Sequence, residues 1–414
     1  MARTDAMVLG AGIVGTSIAL HLAKRGLSVA LVDRRGPGEE TSFGNTGVIG
    51  STVYPTAFPR NLAKALKVAL KLAPEANYHL RALPRTLGWL AAFRAASTPQ
   101  RVVETAHLMR PLLARAVAEH ETLLAEAGGR GHLRRQGMLT LYGSDRALQN
   151  LWAELALAVE LEVAIKFYDP GRVRELEPDL APTFMGAVHW LDVASVSNPL
   201  AVTRAYARRF EALGGVLLQG DARSLHRAAG RWRVDTDQGP VDADEAVIAL
   251  GPWAPDVLKP RGIDLPLAVK RGYHRHFRLR GNATVTRPVI DTEGGYALAP
   301  MGEGIRITTG AEFTDRDAPP SPRQFRRVLP LASALLPLGE PVEAEPWMGC
   351  RPCFADSRPV VGRAPRHPGL WLAYGHGHVG MSLGPVTGRL ISELMLGDVP
   401  FCDPAPYAAE RFAN

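Results

Sequence analysis

The stretch M-V-L-G-A-G-I-V-G-T-S-I-A-L-H-L, Met7 to Leu22, decides the fold of this chain. A short apolar run, Ala6 to Leu9, leads into three spaced glycines, after which apolar residues recur at helical spacing. The next run, Leu27 to Asp33, is rich in β-branched residues and ends in an acid. The order strand, glycine turn, helix, strand predicts a βαβ unit.

The motif G-A-G-I-V-G predicts a dinucleotide site. Gly10 permits a tight turn, Gly12 lets a pyrophosphate approach the backbone, and Gly15 lets helix and strand pack closely. The helix that begins at Ile13 and Val14 offers free N–H groups and a positive dipole end to phosphates. Asp33 lies 18 residues beyond Gly15, where a carboxylate can bind the adenosine ribose. The alternative is close helix packing without a nucleotide.

Size and composition predict a globular protein of two domains. The chain has 414 residues, of which 46% are apolar and 21% charged. The segment Met7 to Ala23 is apolar enough to suggest a signal peptide, but its spaced glycines and the strand pattern after it favour the nucleotide site. No apolar run reaches the ~18–20 residues that a membrane-spanning helix needs.

The cysteines favour a reducing compartment, and we expect a cytoplasmic protein. Cys350, Cys353 and Cys402 are too few for a disulfide framework. Cys350 and Cys353 form C-x-x-C, but neither a second ligand pair for zinc nor a helix typical of a redox motif follows. Buried or incidental thiols are therefore expected.

The net charge of +7 is concentrated in a basic insert, about residues 56–110. This segment has two acids, Glu75 and Glu104, and nine basic residues: Arg60, Lys64, Lys67, Lys71, Arg81, Arg85, Arg94, Arg101 and Arg110. Apolar residues and lysines alternate with a 3.6-residue period from Asn61 to Leu72, which predicts a basic amphipathic helix. It either packs on the core with a solvated lysine face or docks on a membrane or partner. Nucleic acid is not an expected partner, because no recognition module or stacking aromatics accompany the charge.

The remaining pattern interleaves parallel-type and antiparallel segments. Helices are predicted over 107–127, 199–213 and 324–336, and strands over 136–142, 215–219, 232–236, 245–251, 266–279 and 296–307. The chain then closes with the strand L-W-L-A-Y, a glycine loop and a helix to Leu396. An α/β protein with discontinuous domains is the expectation.

Several motifs resemble the D-amino-acid oxidase superfamily of FAD-dependent oxidoreductases. E-T-S-F-G-N-T-G, Glu40 to Gly47, is similar to the family's T-S-x-x-N-x-G loop around the flavin end of FAD. Four later segments match in the family's order: V-I-A-L-G-P-W-A (Val247 to Ala254), G-Y-A-L-A-P (Gly295 to Pro300), G-C-R-P (Gly349 to Pro352), and R-P-V-V-G followed by Y-G-H-G-H-V-G-M (Arg358 to Met381). The resemblance covers nearly the whole chain and is greatest to bacterial D-amino-acid dehydrogenases.

The resemblance implies a Rossmann-type FAD-binding domain with a parallel sheet, and a substrate domain with a mostly antiparallel sheet. The FAD-binding domain is expected over 1–52, 196–262 and 348–414, and the substrate domain over 53–195 and 263–347. FAD is expected to be bound non-covalently, since the residues around Cys350 do not follow the pattern of relatives that attach flavin. The implied cofactor-binding residues are Gly10, Gly12, Ile13, Val14, Gly15, Asp33, Arg34, Thr41, Ser42, Asn45, Thr46, Gly47, Ala222, Gly251, Trp253, Gly375, His376, Gly377, His378, Val379, Gly380 and Met381.

The glycine loop Gly375 to Gly380 has a physical reason within this resemblance. A planar isoalloxazine ring that lies on the loop requires backbone without Cβ atoms. The helix that starts near Met381 then directs its positive end at the pyrimidine ring, where charge develops on reduction. That dipole stabilises the reduced anion by ~1–2 kcal/mol.

The family chemistry is hydride transfer from an amino acid's Cα to flavin N5, followed by hydrolysis of the imino acid to an oxo acid and ammonia. Arg351 matches the arginine that pairs bidentately with the substrate carboxylate, and Tyr296 matches a tyrosine that donates to the same group. An internal salt bridge of Arg351 with Asp356 is the alternative.

Other polar residues have weaker assignments. His378 stands where some glycine-oxidising relatives carry a second arginine, and it either contacts substrate or flavin or stabilises the backbone. Tyr273 and His274 line the pocket or face the other side of their strand. A metal held by His274, His276, His376 and His378 is not expected, because ligand spacing with a carboxylate is missing.

Four functions compete. The leading one is oxidation of small D-amino acids, D-proline-type imino acids included, with electrons passed to a quinone or an artificial dye while the basic insert contacts the inner face of the cell membrane. A glycine, sarcosine or D-amino-acid oxidase that produces hydrogen peroxide is the first alternative. A non-catalytic nucleotide-binding docking module is the second, and an NAD-dependent dehydrogenase leaves the glycine loop without a purpose.

Overall fold

The computed structural model describes residues 2–50, 52, 54–55, 57–58 and 62–413, without the side chains of residues 2, 62–65 and 150. The predictions that involve Thr56, Arg60 and Asn61 lie outside the described residues, as does the side chain of Lys64.

Strands and helices alternate along the chain. The described strands are β1 (Ala2–Leu9), β2 (Val29–Asp33), β3 (Val48–Ile49), β4 (Ala76–Tyr78), β5 (Leu133–Arg134), β6 (Met138–Tyr142), β7 (Ile165–Tyr168), β8 (Gly186–Trp190), β9 (Ala194–Val196), β10 (Val216–Gln219), β11 (His226–Ala228), β12 (Arg231–Thr236), β13 (Gly239–Ile248), β14 (Leu267–Leu279), β15 (Val289–Asp291), β16 (Tyr296–Met301), β17 (Gly304–Thr309), β18 (Ala311–Phe313), β19 (Leu338–Pro341), β20 (Trp347–Phe354), β21 (Val360–Arg363) and β22 (Leu370–Tyr374). The described α-helices are α1 (Ile13–Lys24), α2 (Leu62–Ala69), α3 (Leu83–Ala96), α4 (Pro99–Glu126), α5 (Asp145–Glu160), α6 (Pro170–Leu176), α7 (Pro199–Ala212), α8 (Ala254–Leu258), α9 (Arg323–Leu335) and α10 (Gly380–Leu396).

The first sheet contains the predicted βαβ unit. Its strand order is β10-β2-β1-β13-β12-β11, and β22 also pairs with β13, and β21 with β22. The strands β10, β2, β1, β13 and β22 are parallel. Side chains of β1 alternate between two cores: Ala6 and Val8 pack with α1 and α10, whereas Met7 and Leu9 pack on the opposite face. Both faces are buried, as a parallel sheet requires.

The second sheet is mostly antiparallel and follows the order β4-β18-β14-β17-β16-β15-β6-β8-β7, with β19 and β20 also paired with β14. Helix α9 packs on one face of it over a core that includes Phe277, Leu298 and Ile307. The other face carries Arg351 of β20, opposite Lys270 of β14. Three short strands, β3, β9 and β5, form a further sheet. The expected α/β class is confirmed, and the domain boundaries proposed above remain a prediction.

Two sequence predictions need correction. The single strand predicted over 296–307 is the hairpin β16–β17, whose turn reaches Gly304 at φ +140°, a value that favours glycine. The helix predicted from residue 107 begins eight residues earlier as α4, after Thr98, whose hydroxyl accepts the Arg101 N–H at 3.3 Å. In the described part of the chain, no helix has both the length and the apolar character that crossing a bilayer requires.

Candidate active site

A cavity of about 700 Å³ lies at the carboxyl ends of the parallel strands β1, β2, β10, β13 and β22. Ligands of open α/β sheets bind at this edge. Sixteen of the residues predicted to bind cofactor line it: Gly10, Gly12, Ile13, Val14, Asp33, Arg34, Thr41, Ser42, Asn45, Ala222, Gly251, Trp253, His376, Gly377, Gly380 and Met381. The other six, Gly15, Thr46, Gly47, Gly375, His378 and Val379, lie in the same loops but outside the lining.

Two glycines of the first turn, Gly10 and Gly15, have no room for a side chain. A Cβ at Gly15 would lie 1.8 Å from the carbonyl oxygen of Gly10. Gly10 has φ +107°, and a Cβ there would lie 2.5 Å from the Ala249 carbonyl oxygen. Helix α1 starts directly beyond this turn, with no acid in its first turn and no side-chain cap at Gly12. Its N-terminus is therefore suited to an anion such as a pyrophosphate.

Asp33 fixes the shape of this turn. One carboxylate oxygen accepts the Ala11 N–H at 2.6 Å and the other accepts the Arg35 N–H at 2.9 Å. Burial raises the pKa of Asp33, although these hydrogen bonds oppose the shift. The carboxylate also lines the cavity, so it can accept hydrogen bonds from ribose hydroxyls, as its spacing from the glycines predicts.

Charged side chains and the Trp253 ring line the end of the cavity where the nucleotide is expected. The Arg34 guanidinium lies 4.4 Å from the centroid of the Trp253 ring, and that of Arg316 lies 5.7 Å from it. Sequence reasoning missed Arg316 and several other lining residues: Glu40, Gln219, Gly220, Asp221, Arg223, Asp237, Asp256, Asp317, Pro352 and Tyr374. Most of them follow strands of the first sheet, so the ends of the predicted strands were the available signal.

The T-S-F-G-N loop joins the two glycine turns. The Thr41 hydroxyl donates to the Cys350 carbonyl at 2.8 Å, and the Ser42 hydroxyl accepts the Ile13 N–H at 2.9 Å. The Asn45 side chain accepts the Gly47 N–H at 2.8 Å and donates to the His378 carbonyl at 3.4 Å. The loop therefore connects helix α1, strand β20 and the C-terminal glycine loop.

The C-terminal loop has the tight backbone that its glycines predict. Gly375 has φ +87°, and a Cβ there would lie 2.2 Å from the Phe354 ring. His376 is buried beside Thr387 at 3.0 Å, and burial lowers its pKa to about 3. Helix α10 begins at Gly380, without an acid or a side-chain cap in its first turn, and Gly380 and Met381 line the cavity. The positive end of this helix is thus directed at the cavity.

Arg351 is a half-buried cation that has no acidic partner among the described residues. Its two terminal nitrogens donate to the carbonyls of Gly310 at 2.7 Å and Thr309 at 3.0 Å. Burial lowers the pKa of Arg351. Asp356 pairs instead with Arg358 and Arg411, so the alternative of an internal Arg351–Asp356 bridge is wrong. The remaining guanidinium N–H groups are available to a ligand.

His378 lies near Arg351 and is an exposed residue. Desolvation by the surrounding protein lowers its pKa to about 4, and the positive charges of Arg351 and Lys270 contribute. Its ring centroid is 5.4 Å from that of Tyr54. A neutral imidazole can exchange hydrogen bonds with a ligand but adds no positive charge.

Tyr273 and Tyr296 do not join Arg351. Both belong to the core under helix α9, whereas Arg351 registers with Lys270 on the other face of the sheet. The Tyr273 hydroxyl donates to the Glu312 carboxylate at 2.7 Å and accepts the Ser321 N–H at 2.7 Å. The pocket role predicted for Tyr273 is therefore corrected to a structural one.

Tyr296 has a buried hydroxyl without a hydrogen-bond partner in the described part of the chain. Burial raises its pKa, and the neighbouring Asp291 carboxylate adds to the shift. Because Tyr296 faces the α9 core, this geometry does not support the carboxylate contact predicted beside Arg351.

The histidines of β14 lie near the T-S-F-G-N loop, and their contacts differ. Neither ring nitrogen of His274 has a hydrogen-bond partner in the described part of the chain, and its ring packs against those of Phe43 and Trp347, with centroids 5.5 and 4.9 Å away. His274, His276 and Glu343 place their ligand atoms within 4.8 Å of one another. His276 contacts Glu343 through Nδ1 and accepts from Arg306 at 2.9 Å through Nε2. Arg306 also donates to the carbonyls of Phe43 and Asn45. Because both nitrogens of His276 are bonded and a guanidinium adjoins it, we assign no metal to this group.

The cavity fits a flavin dinucleotide by shape and donor set. Two helix N-termini face it, a Cβ at Gly10 or Gly15 of the first turn would clash with the backbone, and aromatic and acidic groups lie at its nucleotide end. Burial raises the pKa of Cys350 to about 11, and that of Cys353 as well, so neither thiol is activated as a nucleophile.

Comparisons with known proteins support FAD as the cofactor. The family model DAO, described as "FAD dependent oxidoreductase", matches residues 5–394. The chain is 28% identical to a D-amino-acid oxidase of Bradyrhizobium diazoefficiens over 98% of each chain. It is 30% identical to a D-amino acid dehydrogenase of Azorhizobium caulinodans, over 95% of this chain and 96% of that one. The crystal structure of glycine oxidase from Geobacillus kaustophilus matches the whole fold with a TM-score of 0.77 at 23% identity, over 100% of each chain.

Proposed function

The chain belongs to the DAO family of FAD-dependent oxidoreductases, and on that premise we propose that it oxidises small D-amino acids or D-imino acids and passes the electrons to a quinone-type acceptor. FAD is its cofactor, bound non-covalently, as the raised thiol pKa of Cys350 favours. The curated relatives named D-amino acid dehydrogenase and D-amino-acid oxidase support this substrate class.

The observation that carries the proposal is the uncompensated guanidinium of Arg351. It is half-buried, has only backbone carbonyls as partners in the described residues, and lies next to Pro352, which lines the cofactor cavity. A substrate carboxylate supplies the missing negative charge, and the fork of N–H groups fixes its orientation. A docking module without turnover has no use for such a group.

The chain's task in the reaction is to orient the substrate. When bound, FAD supplies the two-electron acceptor for the hydride that leaves Cα. Arg351 holds the carboxylate so that Cα lies beside the cofactor cavity. Holding the reacting groups in this orientation lowers the barrier to hydride transfer. The substrate nitrogen loses a proton, and the oxidised product is an imine. Water hydrolyses the imine of a primary amino acid to an oxo acid and ammonia, whereas the imine of a cyclic imino acid opens to an amino oxo acid without release of ammonia.

The basic insert supports an acceptor at a membrane surface. Five leucines there are more than half exposed: Leu66, Leu70, Leu72, Leu80 and Leu87. Exposed cations, among them Lys67, Arg81 and Arg94, lie in the same segment. Apolar side chains beside cations are the composition that binds an anionic lipid surface.

Product and acceptor analysis tests this function. With a primary D-amino acid as substrate, we expect one 2-oxo acid and one ammonia for each two-electron reduction of a quinone or dye. We expect little hydrogen peroxide in air. Abundant peroxide, at the rate of substrate consumption, would favour the oxidase activity that the Bradyrhizobium relative's name describes. Absence of oxo acid with every D-amino acid tried would contradict both.

A further inference from the structure

We propose that Lys270 is a second cation for the substrate's carboxylate, which is held between its ammonium group and the Arg351 guanidinium. This inference rests on the proposed function and names the subsite that recognises its substrate. Nothing in the sequence motifs singles out Lys270; its position in the fold does.

Lys270 and Arg351 lie directly opposite each other on the antiparallel strands β14 and β20. Residues in such a pair project from the same face with Cβ atoms about 5 Å apart, and like charges there repel. Burial lowers the pKa of Lys270, and the Arg351 charge adds to this shift. Two adjacent half-buried cations are a costly arrangement unless an anion joins them.

No carboxylate offsets either charge within the described residues. The Lys270 ammonium lies over three aromatic rings, 4.2 Å from the centroid of Phe93, 4.9 Å from Trp89 and 5.8 Å from Phe313. Ring faces attract a cation but do not neutralise it. The pair therefore leaves net positive charge in the half-buried compartment that these cations and aromatic rings form. An anionic ligand is the group that would neutralise this charge.

The compartment adjoins the cofactor cavity. Pro352 follows Arg351 and accepts the Gly377 N–H at 2.7 Å, and both of these residues line the cavity. His378 follows Gly377 in the chain, and the charges of Arg351 and Lys270 both contribute to its lowered pKa. Lys270 is the cation that lies directly opposite Arg351 and can share the carboxylate with it.

Helix α3 covers this compartment. The Trp89 indole donates to the Cys353 carbonyl at 3.2 Å and stacks on Phe93, with ring centroids 5.1 Å apart. This cover places apolar rings beside the cations, and the attraction between the cations and a carboxylate is stronger in less polar surroundings.

The test is ligand binding to the FAD-loaded protein, followed by the change in flavin absorbance. The probes are pyrrole-2-carboxylate, which carries the acid group but is not oxidised, and pyrrole-2-carboxamide, which is neutral. In Lys270→Gln, we expect roughly tenfold or greater weakening for the carboxylate, as loss of a charged hydrogen bond implies, and less than about twofold for the carboxamide. Lys270→Arg should restore most of the carboxylate affinity. Lys259→Gln, at an exposed lysine paired with Asp264, is the matched control and should match the wild type.

Equal carboxylate affinity in Lys270→Gln and the wild type would overturn the proposal, as would equal weakening of both probes, which would indicate a structural lysine. A third probe, malonate, examines a second acid group. If Lys270→Gln weakened malonate alone, Lys270 would recognise a distal carboxylate and the shared subsite would be wrong. These measurements need no turnover, so they remain decisive if no amino acid reduces the flavin and the proposed function fails.

Discussion

Arg351 was identified from the sequence by its G-C-R-P motif, and the structure adds why it suits a ligand. Its side chain lies against Gly272, where a Cβ would come within 2.3 Å of the guanidinium, and carbonyls hold it in place. Neither constraint is visible in the sequence, because both partners belong to strands far away along the chain. The same limitation explains the error at Tyr273, since alternation along β14 gives each residue's face only after one face has been assigned.

We predict that Arg351→Lys lowers kcat/KM for D-amino acids by roughly a hundredfold or more. Lysine keeps the charge but loses the paired N–H groups, a loss of about 1.5–3 kcal/mol for each charged hydrogen bond. Steady-state kinetics with a dye acceptor measures the effect, and Arg174→Lys, at an exposed position of α6, should leave it unchanged. Unaltered kinetics in Arg351→Lys would remove Arg351 from the substrate site.

Glu312 of β18 stabilises the sheet next to the compartment around Lys270 and Arg351. It pairs with Arg271 at 2.7 Å with both side chains fully buried. Although burial alone would raise it, hydrogen bonds from Tyr273, Arg271 and His79 lower the pKa of Glu312. A carboxylate with a lowered folded-state pKa stabilises the protein above its unfolded-state pKa, and that stabilisation is lost as the pH falls through the folded-state pKa.

We predict that Glu312→Gln lowers the free energy of unfolding by about 3–5 kcal/mol at pH 7, because it leaves Arg271 buried without a counterion. The difference from the wild type should shrink as the pH falls below about 4, where the unfolded-state carboxyl takes up a proton, and it is lost as the pH falls through the lowered folded-state pKa. Denaturant unfolding at several pH values measures both. Glu175→Gln, at an exposed pair with Arg172, should change stability by at most about 1 kcal/mol. A pH-independent difference would contradict this account of Glu312.

Elements that carry a local signal were predictable, and those defined by distant partners were not. The spaced glycines and apolar periodicity identified β1, α1 and β2, which the structure places together in the first sheet. Residues 145–190 were not assigned, although they form α5, α6, β7 and β8. Strand β7 shows why: it has two exposed residues and pairs with β8 alone among the described strands, so it lacks a strong apolar pattern.

We predict that Gly15→Ala weakens FAD binding at least tenfold and lowers the melting temperature of the holoprotein. The added Cβ would lie 1.8 Å from the Gly10 carbonyl oxygen, so β1 and α1 must separate and the phosphate turn must change shape. Flavin fluorescence titration of the apoprotein measures affinity. Gly88→Ala, in the exposed part of α3 where a Cβ meets no atom within 4 Å, should be neutral or stabilising by up to about 1 kcal/mol. Full FAD affinity in Gly15→Ala would contradict the assignment of this turn.

At the scale of the whole molecule, the sequence located the basic insert but not its exposed leucines. The predicted helix over 61–72 is observed as α2, Leu62–Ala69, and its leucines Leu66 and Leu70 are 56% and 59% exposed. An amphipathic pattern normally predicts a buried apolar face, so the exposure becomes visible only when the packing of the whole chain is known.

We predict that the protein binds vesicles rich in anionic phospholipid more tightly than neutral vesicles, and that Lys67→Glu with Arg81→Glu weakens this binding at least tenfold. Each cation near such a surface contributes about 1 kcal/mol, and reversal also adds repulsion. Co-sedimentation at low and high salt measures the binding. A double reversal at the exposed Lys166 and Arg174 is the matched control and should bind as the wild type does. Equal binding to neutral and anionic vesicles would contradict a role for the basic insert.

The most direct test of the central claim is anaerobic mixing of the purified holoprotein with single amino acids, followed by flavin absorbance. Small D-amino acids or D-proline should bleach the flavin bands, their L-enantiomers should react far more slowly, and Arg351→Lys should need much higher substrate concentrations for the same rate. Flavin that is bound but stays oxidised with every D-amino acid, L-amino acid, sarcosine and proline tried would contradict the proposed activity.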